Sequence, residues 1–331
     1  MRNNRPIQRA MTAAHSLMLA LALSGALPAT AAAAPAGLPQ LQPAVSSPAA
    51  AQAAILGATR AGSRIVAVGE HGVVLLSDDG GKSFRQGRAV PARAMLTAVS
   101  FADARNGWAV GHAGVILHTA DGGETWQLQR SDAQTDQPLF SVQFLDDRHG
   151  FAAGLWSLLL ETTDGGRSWH KRDLPAAPGS AKADRNLFRI FAAADGRLYI
   201  AAEQGLVLRS TDLGATWRYL QTGYTGSLWA GAALQDGTLV VAGMRGTVLS
   251  SQDGGDTWHQ VASGTRSSLT DVVALADGMA AVGLEGAAVR GRGAGALEAA
   301  SRPDRLDLTA AVAAPDGKLV MFSSHGPLAP Q

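Results

Sequence analysis

The chain contains no cysteine. It can therefore hold no disulfide, no thiolate-bound metal and no cysteine-linked lipid, so its stability must come from burial. Aromatic residues make up 5 % of the 331 positions, and tyrosine occurs only at Tyr199, Tyr219 and Tyr224. Glutamate occurs six times. Both scarcities limit the nucleophiles and bases available for catalysis. Charge is scarce as well: 28 basic against 27 acidic side chains leave a net +1, with no run of Lys or Arg. That balance lacks the electrostatic footprint of a nucleic-acid binder.

A membrane-length apolar run is also missing. The stretch Leu17-Met18-Leu19-Ala20-Leu21-Ala22-Leu23 is shorter than the roughly 20 residues that a span requires. It follows Arg2, Arg5 and Arg9 and precedes Ala29-Thr30-Ala31-Ala32-Ala33-Ala34, the order of a secretory signal peptide. We expect residues 1–34 to be a signal peptide cleaved between Ala31 and Ala34. Residues 35–331 are then one exported, soluble, periplasmic domain without stable membrane insertion, expected as a monomer. Without the three arginines the same count gives about −2, from +1 − 3.

What the chain does have is a repeat. Thr119-Ala120-Asp121-Gly122-Gly123-Glu124-Thr125-Trp126 recurs in near copies centred on Asp79, Asp164, Asp212 and Asp253, at spacings of roughly forty residues. A period of that length marks a propeller or solenoid. Each copy reads Ser/Thr-x-Asp-x-Gly-x-Ser/Thr-aromatic and resembles the Asp-box turn of the BNR propeller families. Its chemistry is mechanical: hydroxyl and carboxylate accept backbone N–H groups of a tight turn, and glycine takes a positive φ. The same aspartate in five units serves each unit's fold, so Asp79, Asp121, Asp164, Asp212 and Asp253 are read as structural rather than as catalytic or metal-binding groups.

Between the boxes, apolar strands alternate with Gly and Asp/Asn turns, the pattern of a four-stranded antiparallel blade. Inner-strand starts recur at Ile55, Leu96, Leu139, Leu187, Leu228, Leu269 and Leu308, which predicts an all-β, seven-bladed propeller. In the sixth unit Gly293 replaces the aspartate and Glu298 the tryptophan, so its box has decayed. The seventh stops early and lacks an outer strand. Residues 38–46 lie in the right place in the chain to supply it and close the ring.

Boxes and linkers fall on opposite faces. The bends between second and third strands share the linker face and present His71, His112, Trp156, Gln204, Arg245, Glu285 and His325 on a frame of recurring glycines. Variable side chains on a constant frame are a candidate binding face, although solvated bends would look the same. Trp156 stands where its equivalents are polar or small and is a candidate anchor; the competing reading folds it onto the neighbouring linker. His71, His112 and His325 fall at bends of adjacent blades, spaced too widely to share one ion, so no metal and no cofactor is expected. Arg189 and Asp271 replace small residues in the inner-strand register and are expected to reach the channel. Whether they pair is left open, because blades four and six are not neighbours. The linker of residues 172–185 is expected to form a mobile flap.

The combination Asn106-Gly107-Trp108-Ala109-Val110-Gly111-His112-Ala113-Gly114-Val115-Ile116-Leu117-His118 followed by the box looks like the photosystem II stability and assembly factor family of BNR-like propellers. The resemblance covers nearly the whole chain after residue 34. It implies a non-enzymatic propeller outside the cytoplasmic membrane that binds a protein partner, here a membrane complex or transporter. The arginine-rich patch of the photosynthetic members cannot be placed residue by residue on this chain. A sialidase-like glycoside hydrolase is one alternative: Phe188-Arg189-Ile190-Phe191 is similar to the Phe-Arg-Ile-Pro motif of those enzymes but lacks the proline. A propeller binding a glycan or small ligand in its channel is another, favoured if Trp156 and Trp229 both face the mouth. The register of Trp229 with Phe140 and Phe188 reads instead as interblade packing.

Overall fold

Each repeat closes on itself as one antiparallel sheet because its strands are short, apolar and joined by tight turns. The computed structural model describes residues 41–135, 137–292 and 295–329. The signal-peptide and cleavage expectations, and Gly293 of the decayed box, lie outside them. In the second blade the strands are Leu96–Phe101, Gly107–Gly111, Ile116–Thr119 and Gln127–Arg130, ordered from inside to outside. Among the described residues six sheets have four strands in this order and the seventh has three. The architecture is a seven-bladed β-propeller.

Second and third strands are buried along nearly their whole length, while outer strands are mostly exposed. Burial on both faces is met by the neighbouring blades. The core is accordingly divided into seven apolar clusters, one at each seam. At one seam the Trp108 and Phe144 rings stack with centroids 3.4 Å apart.

Every inner strand carries a β-bulge at its start, between the leading Leu or Ile and the residue two places on. A bulge adds one unpaired residue and re-aims side chains. Here it turns the second and third residues toward the following blade. Thr97 Oγ1 donates to Leu139 O at 2.6 Å, Ser141 Oγ accepts the Ile190 N–H at 3.0 Å, and Thr270 Oγ1 donates to Leu308 O at 2.8 Å.

Ring closure differs from the sequence expectation. Residues 41–46 add no strand to blade seven; residues 38–40 lie outside the described residues. The segment instead runs along blade one and the linker after it: Ala44 N–H donates to Val90 O, Arg93 N–H to Gln42 O and Gln86 Nε2 to Val45 O. The physical reason lies at the edge of blade seven. Its last strand is Gly326–Pro327, and proline offers no N–H to a fourth strand and blunts an edge. Closure comes from packing of blade one on blade seven, with Ile55, Ile65, Val312, Val320 and Phe322 in one cluster. Thr309 Oγ1 also donates to Ile55 O. The turn Ala50–Gln52 sits so close to Gly326 (φ +101°) that a Cβ there would meet Ala51 O at 1.9 Å.

Candidate functional site

Six of the bends are single 3-10 turns: Glu70–Gly72, His112–Gly114, Leu155–Ser157, Glu203–Gly205, Met244–Gly246 and Leu284–Gly286. The middle residue of each is left-handed, with φ of +55° at His71 and Ala113, +52° at Trp156, +58° at Gln204 and Arg245, and +57° at Glu285. That conformation turns the side chain outward. His71, Trp156, Gln204, Arg245 and Glu285 are exposed, as is His325 in the shorter bend of blade seven. His112 is exposed but sits one place before the left-handed position, which Ala113 occupies. The three histidines thus do not hold equivalent places. Among the described residues no three His, Cys, Asp or Glu side chains gather into a ligand set.

Main chain and side chain have separate duties at these bends. The Trp156 N–H donates to Asn186 Oδ1 at 3.0 Å, the Arg245 N–H to Ser268 Oγ at 3.2 Å and the Glu285 N–H to Asp307 Oδ1 at 2.8 Å. Each acceptor immediately precedes the next blade's inner strand, so the backbone latches neighbouring blades while the side chain points outward, free of that latch; at Glu285 it takes up Ser267 and Arg305 instead. A glycine usually follows because the linker packs on it: a Cβ on Gly205 would meet Tyr224 O at 1.9 Å. Blade three has Ser157 instead. Its N–H donates to Arg185 O at 2.7 Å, and its hydroxyl accepts the Arg185 N–H at 3.0 Å. The linker expected to be a flap is therefore tied down at this end, and Ala177 and Leu174 pack into the core between blades three and four.

Trp156 is 62 % exposed, so it does not fold back onto the linker. Two further apolar side chains stand out from the same face, Val45 at 62 % and Met95 at 40 %. Sequence reasoning missed both, because exposure of an apolar residue in a linker depends on what the fold places over it. A groove of about 440 Å3 beside Val45 is lined by Ala49, Ala53, His71, Val73 and Arg93.

Inside the ring, the Arg189 guanidinium crosses from blade four to Asp271 on blade six, Nη2 to Oδ1 3.7 Å. Asp271 is the buried member and Arg189 the partly solvated one. The Asp271 carboxylate accepts the Val272 N–H at 2.9 Å and the Ala311 N–H at 3.0 Å, clamping blade six to blade seven. Burial pushes its carboxyl above the usual value, against the opposing pull of Arg189 and the two N–H groups. One place earlier in the register stand Phe140, Phe188 and Trp229, all half-buried, with the two phenyl rings stacked at 5.8 Å. The strands at their positions in blades two, six and seven carry Thr97, Thr270 and Thr309.

The opposite face is built by the boxes. Asp121 Oδ1 accepts the Thr119 hydroxyl at 2.8 Å and the Thr125 N–H at 2.9 Å, Oδ2 accepts the Thr125 hydroxyl at 2.6 Å, and Thr119 Oγ1 accepts the Gly123 N–H at 3.0 Å. Asp79, Asp164, Asp212 and Asp253 repeat the arrangement. Hydroxyl and N–H donors hold the Asp212 carboxyl down at about 2 and lower those of Asp79, Asp164 and Asp253 as well. Every hydrogen bond these carboxylates accept comes from their own loops.

Most of the groups that glycosidase chemistry would need are buried or engaged elsewhere. Tyr199 is fully buried and donates to Gly254 O, the Tyr219 hydroxyl is buried, and Tyr224 donates to Met244 O. Glu70 and Glu203 accept N–H groups of the residues leading into inner strands. Glu124, Glu161 and Glu285 are in ion pairs.

A family model described as photosynthesis system II assembly factor YCF48 matches residues 87–141 and 128–286. No curated protein matches the chain in sequence. Among solved structures, "YCF48 bound to D1 peptide" is similar at 16 % identity and a TM-score of 0.68, over 88 % of this chain and 99 % of that one. YCF48 from Cyanidioschyzon merolae is similar at 16 % identity and 0.67, over 85 % and 95 %. A virginiamycin B lyase from Staphylococcus aureus reaches 0.70 at 12 % identity, over 87 % and 97 %. These similarities show a propeller fold that serves both a protein binder and an enzyme.

Proposed function

The chain belongs to the photosynthesis system II assembly factor YCF48 family, and on that premise we propose that it is an exported, non-enzymatic scaffold that binds a membrane protein complex or transporter through its linker-and-bend face. The observation that carries this reading is Trp156: a large apolar side chain, 62 % exposed, held in a left-handed turn whose backbone is locked to the next blade. Keeping a tryptophan in water and in a strained conformation is costly without a partner to cover it. Val45 and Met95 are further exposed apolar side chains of the linkers. The similar YCF48 structure is a complex with a D1 peptide, which supports a protein partner for this propeller too.

Export rests on the signal-peptide pattern of residues 1–34. The absence of catalysis is supported by the hydrogen bonds and ion pairs that hold Tyr199, Tyr224 and five of the six glutamates. The test is capture by the tagged protein from crosslinked, detergent-solubilised membranes of its own organism. A membrane complex that is recovered by the wild type and lost with Trp156→Asn supports the reading; equal recovery by both rejects this face.

A further inference from the structure

The channel mouth contains a second constellation that protein docking on the bends does not use. The inner-strand bulges turn the second and third residues of each strand toward the next blade. In blades three, four and five the second residues are Phe140, Phe188 and Trp229, consecutive around the ring and half-buried. Where blades two, six and seven have threonines that donate to a neighbouring carbonyl, these three present aromatic surface. Directly beside Phe188 comes Arg189, whose side chain is 37 % exposed.

The Arg189 guanidinium keeps its hydrogen-bonding capacity free. Among the described residues it makes no hydrogen bond, and its one ionic contact, to Asp271, is 3.7 Å long, beyond hydrogen-bonding distance. Asp271, by contrast, has both oxygens occupied by backbone N–H groups. A guanidinium has five donors in a planar fork that suits a carboxylate bidentately. The channel therefore offers apolar rings and free cationic donors side by side, while the nearby acid is turned away into the seam between blades six and seven.

We propose that the channel mouth binds a small aromatic or branched aliphatic carboxylate, its apolar group against Phe140, Phe188 and Trp229 and its carboxylate on Arg189. A few polar groups fixing the orientation of an otherwise apolar contact are the usual composition of a small-molecule site. The site opens at the starts of the inner strands, beside the bends, but none of its residues is a bend residue, so this inference does not depend on the docking reading.

Phenylacetate is the probe, with phenethylamine as its charge-reversed counterpart and calorimetry and tryptophan fluorescence as readouts. Phenylacetate should bind the purified protein with a Kd of about 1 mM or tighter and raise the melting temperature, whereas phenethylamine should not bind. Arg189→Gln should weaken phenylacetate at least about tenfold, as expected for a lost charge-assisted pair. Trp229→Leu, which leaves the ion pair intact, should weaken it by a similar factor, and Arg245→Gln on the bend should have no effect. The proposal is overturned if phenylacetate fails to saturate by about 10 mM, if phenethylamine binds as tightly, or if Trp229→Leu, folded, binds phenylacetate as the wild type does.

Discussion

Arg189 and Asp271 approach to 3.7 Å although they belong to blades four and six, with blade five between them. Ala230 holds the same register position in blade five, where a small side chain is packed in the seam with blade six. Ala230→Leu should lower stability even though it adds apolar volume, as overpacking does.

The sign of the electrostatics can be tested with Arg189→Leu. Burial raises the folded carboxyl of Asp271 above 3.8, so its favourable contribution is complete below that pH and is lost as pH rises through the folded value. Removing Arg189 withdraws the opposing attraction from the ionised form only. The variant should lose about 1–2 kcal/mol at pH 8, less than a fully buried pair because Arg189 is partly solvated, and distinctly less at pH 4. Urea titrations at the two pH values give the comparison; an equal loss at both would refute the coupling.

The boxes should titrate in the opposite sense. Their carboxyls are depressed in the fold, Asp212 from 3.8 to about 2, so the stability they add is complete above 3.8 and is lost as pH falls toward 2. Asp121→Ala removes three accepted hydrogen bonds and should cost about 1–3 kcal/mol. The substitution should leave partner capture unchanged once the protein is folded. Loss of capture by well-folded Asp121→Ala would assign a recognition role to the box face.

The segment that lies along blade one makes a separate prediction. Deleting residues 35–45 removes the Ala44–Val90 and Gln42–Arg93 backbone bonds and the packing of Leu41 and Ala44 on the blade-one and blade-two core. A loss of about 1–3 kcal/mol is expected, and hydrogen exchange should show it around residues 86–93, not at Gly326–Pro327. Deprotection confined to blade seven would instead restore the strand-donation model.

Much of this molecule is legible in its sequence, for identifiable reasons. The Asp-boxes announce themselves because every bond their aspartates accept is local, within four residues, so their spacing gives the length of a blade. The bends are likewise legible as Gly-flanked turns. The one-residue offset between His71 and His112 matters only through the left-handed position, and left-handed geometry at non-glycine positions leaves no compositional mark. The Arg189–Asp271 contact is not legible, since it spans an intervening blade and no sequence spacing records how far a side chain reaches across the ring. Nor is the course of residues 41–46, which follows from Pro327 spoiling an edge some 280 residues away.

Trp156 tests the separation of fold from recognition. Asparagine tolerates the left-handed region better than tryptophan, and the N–H bond to Asn186 Oδ1 is made by the backbone. Trp156→Asn should therefore keep its stability within about 1 kcal/mol of the wild type. Binding should still fall steeply, since a tryptophan anchor contributes about 2 kcal/mol or more to an interface.

The most direct test of the docking claim is to map crosslinks between the propeller and its captured partner residue by residue. The account predicts that they cluster on the linker-and-bend face around Val45, Met95, Trp156 and Arg245 and disappear with Trp156→Asn. Crosslinks concentrated on the loops of Asp121, Asp164, Asp212 and Asp253, and unaffected by that substitution, would contradict it.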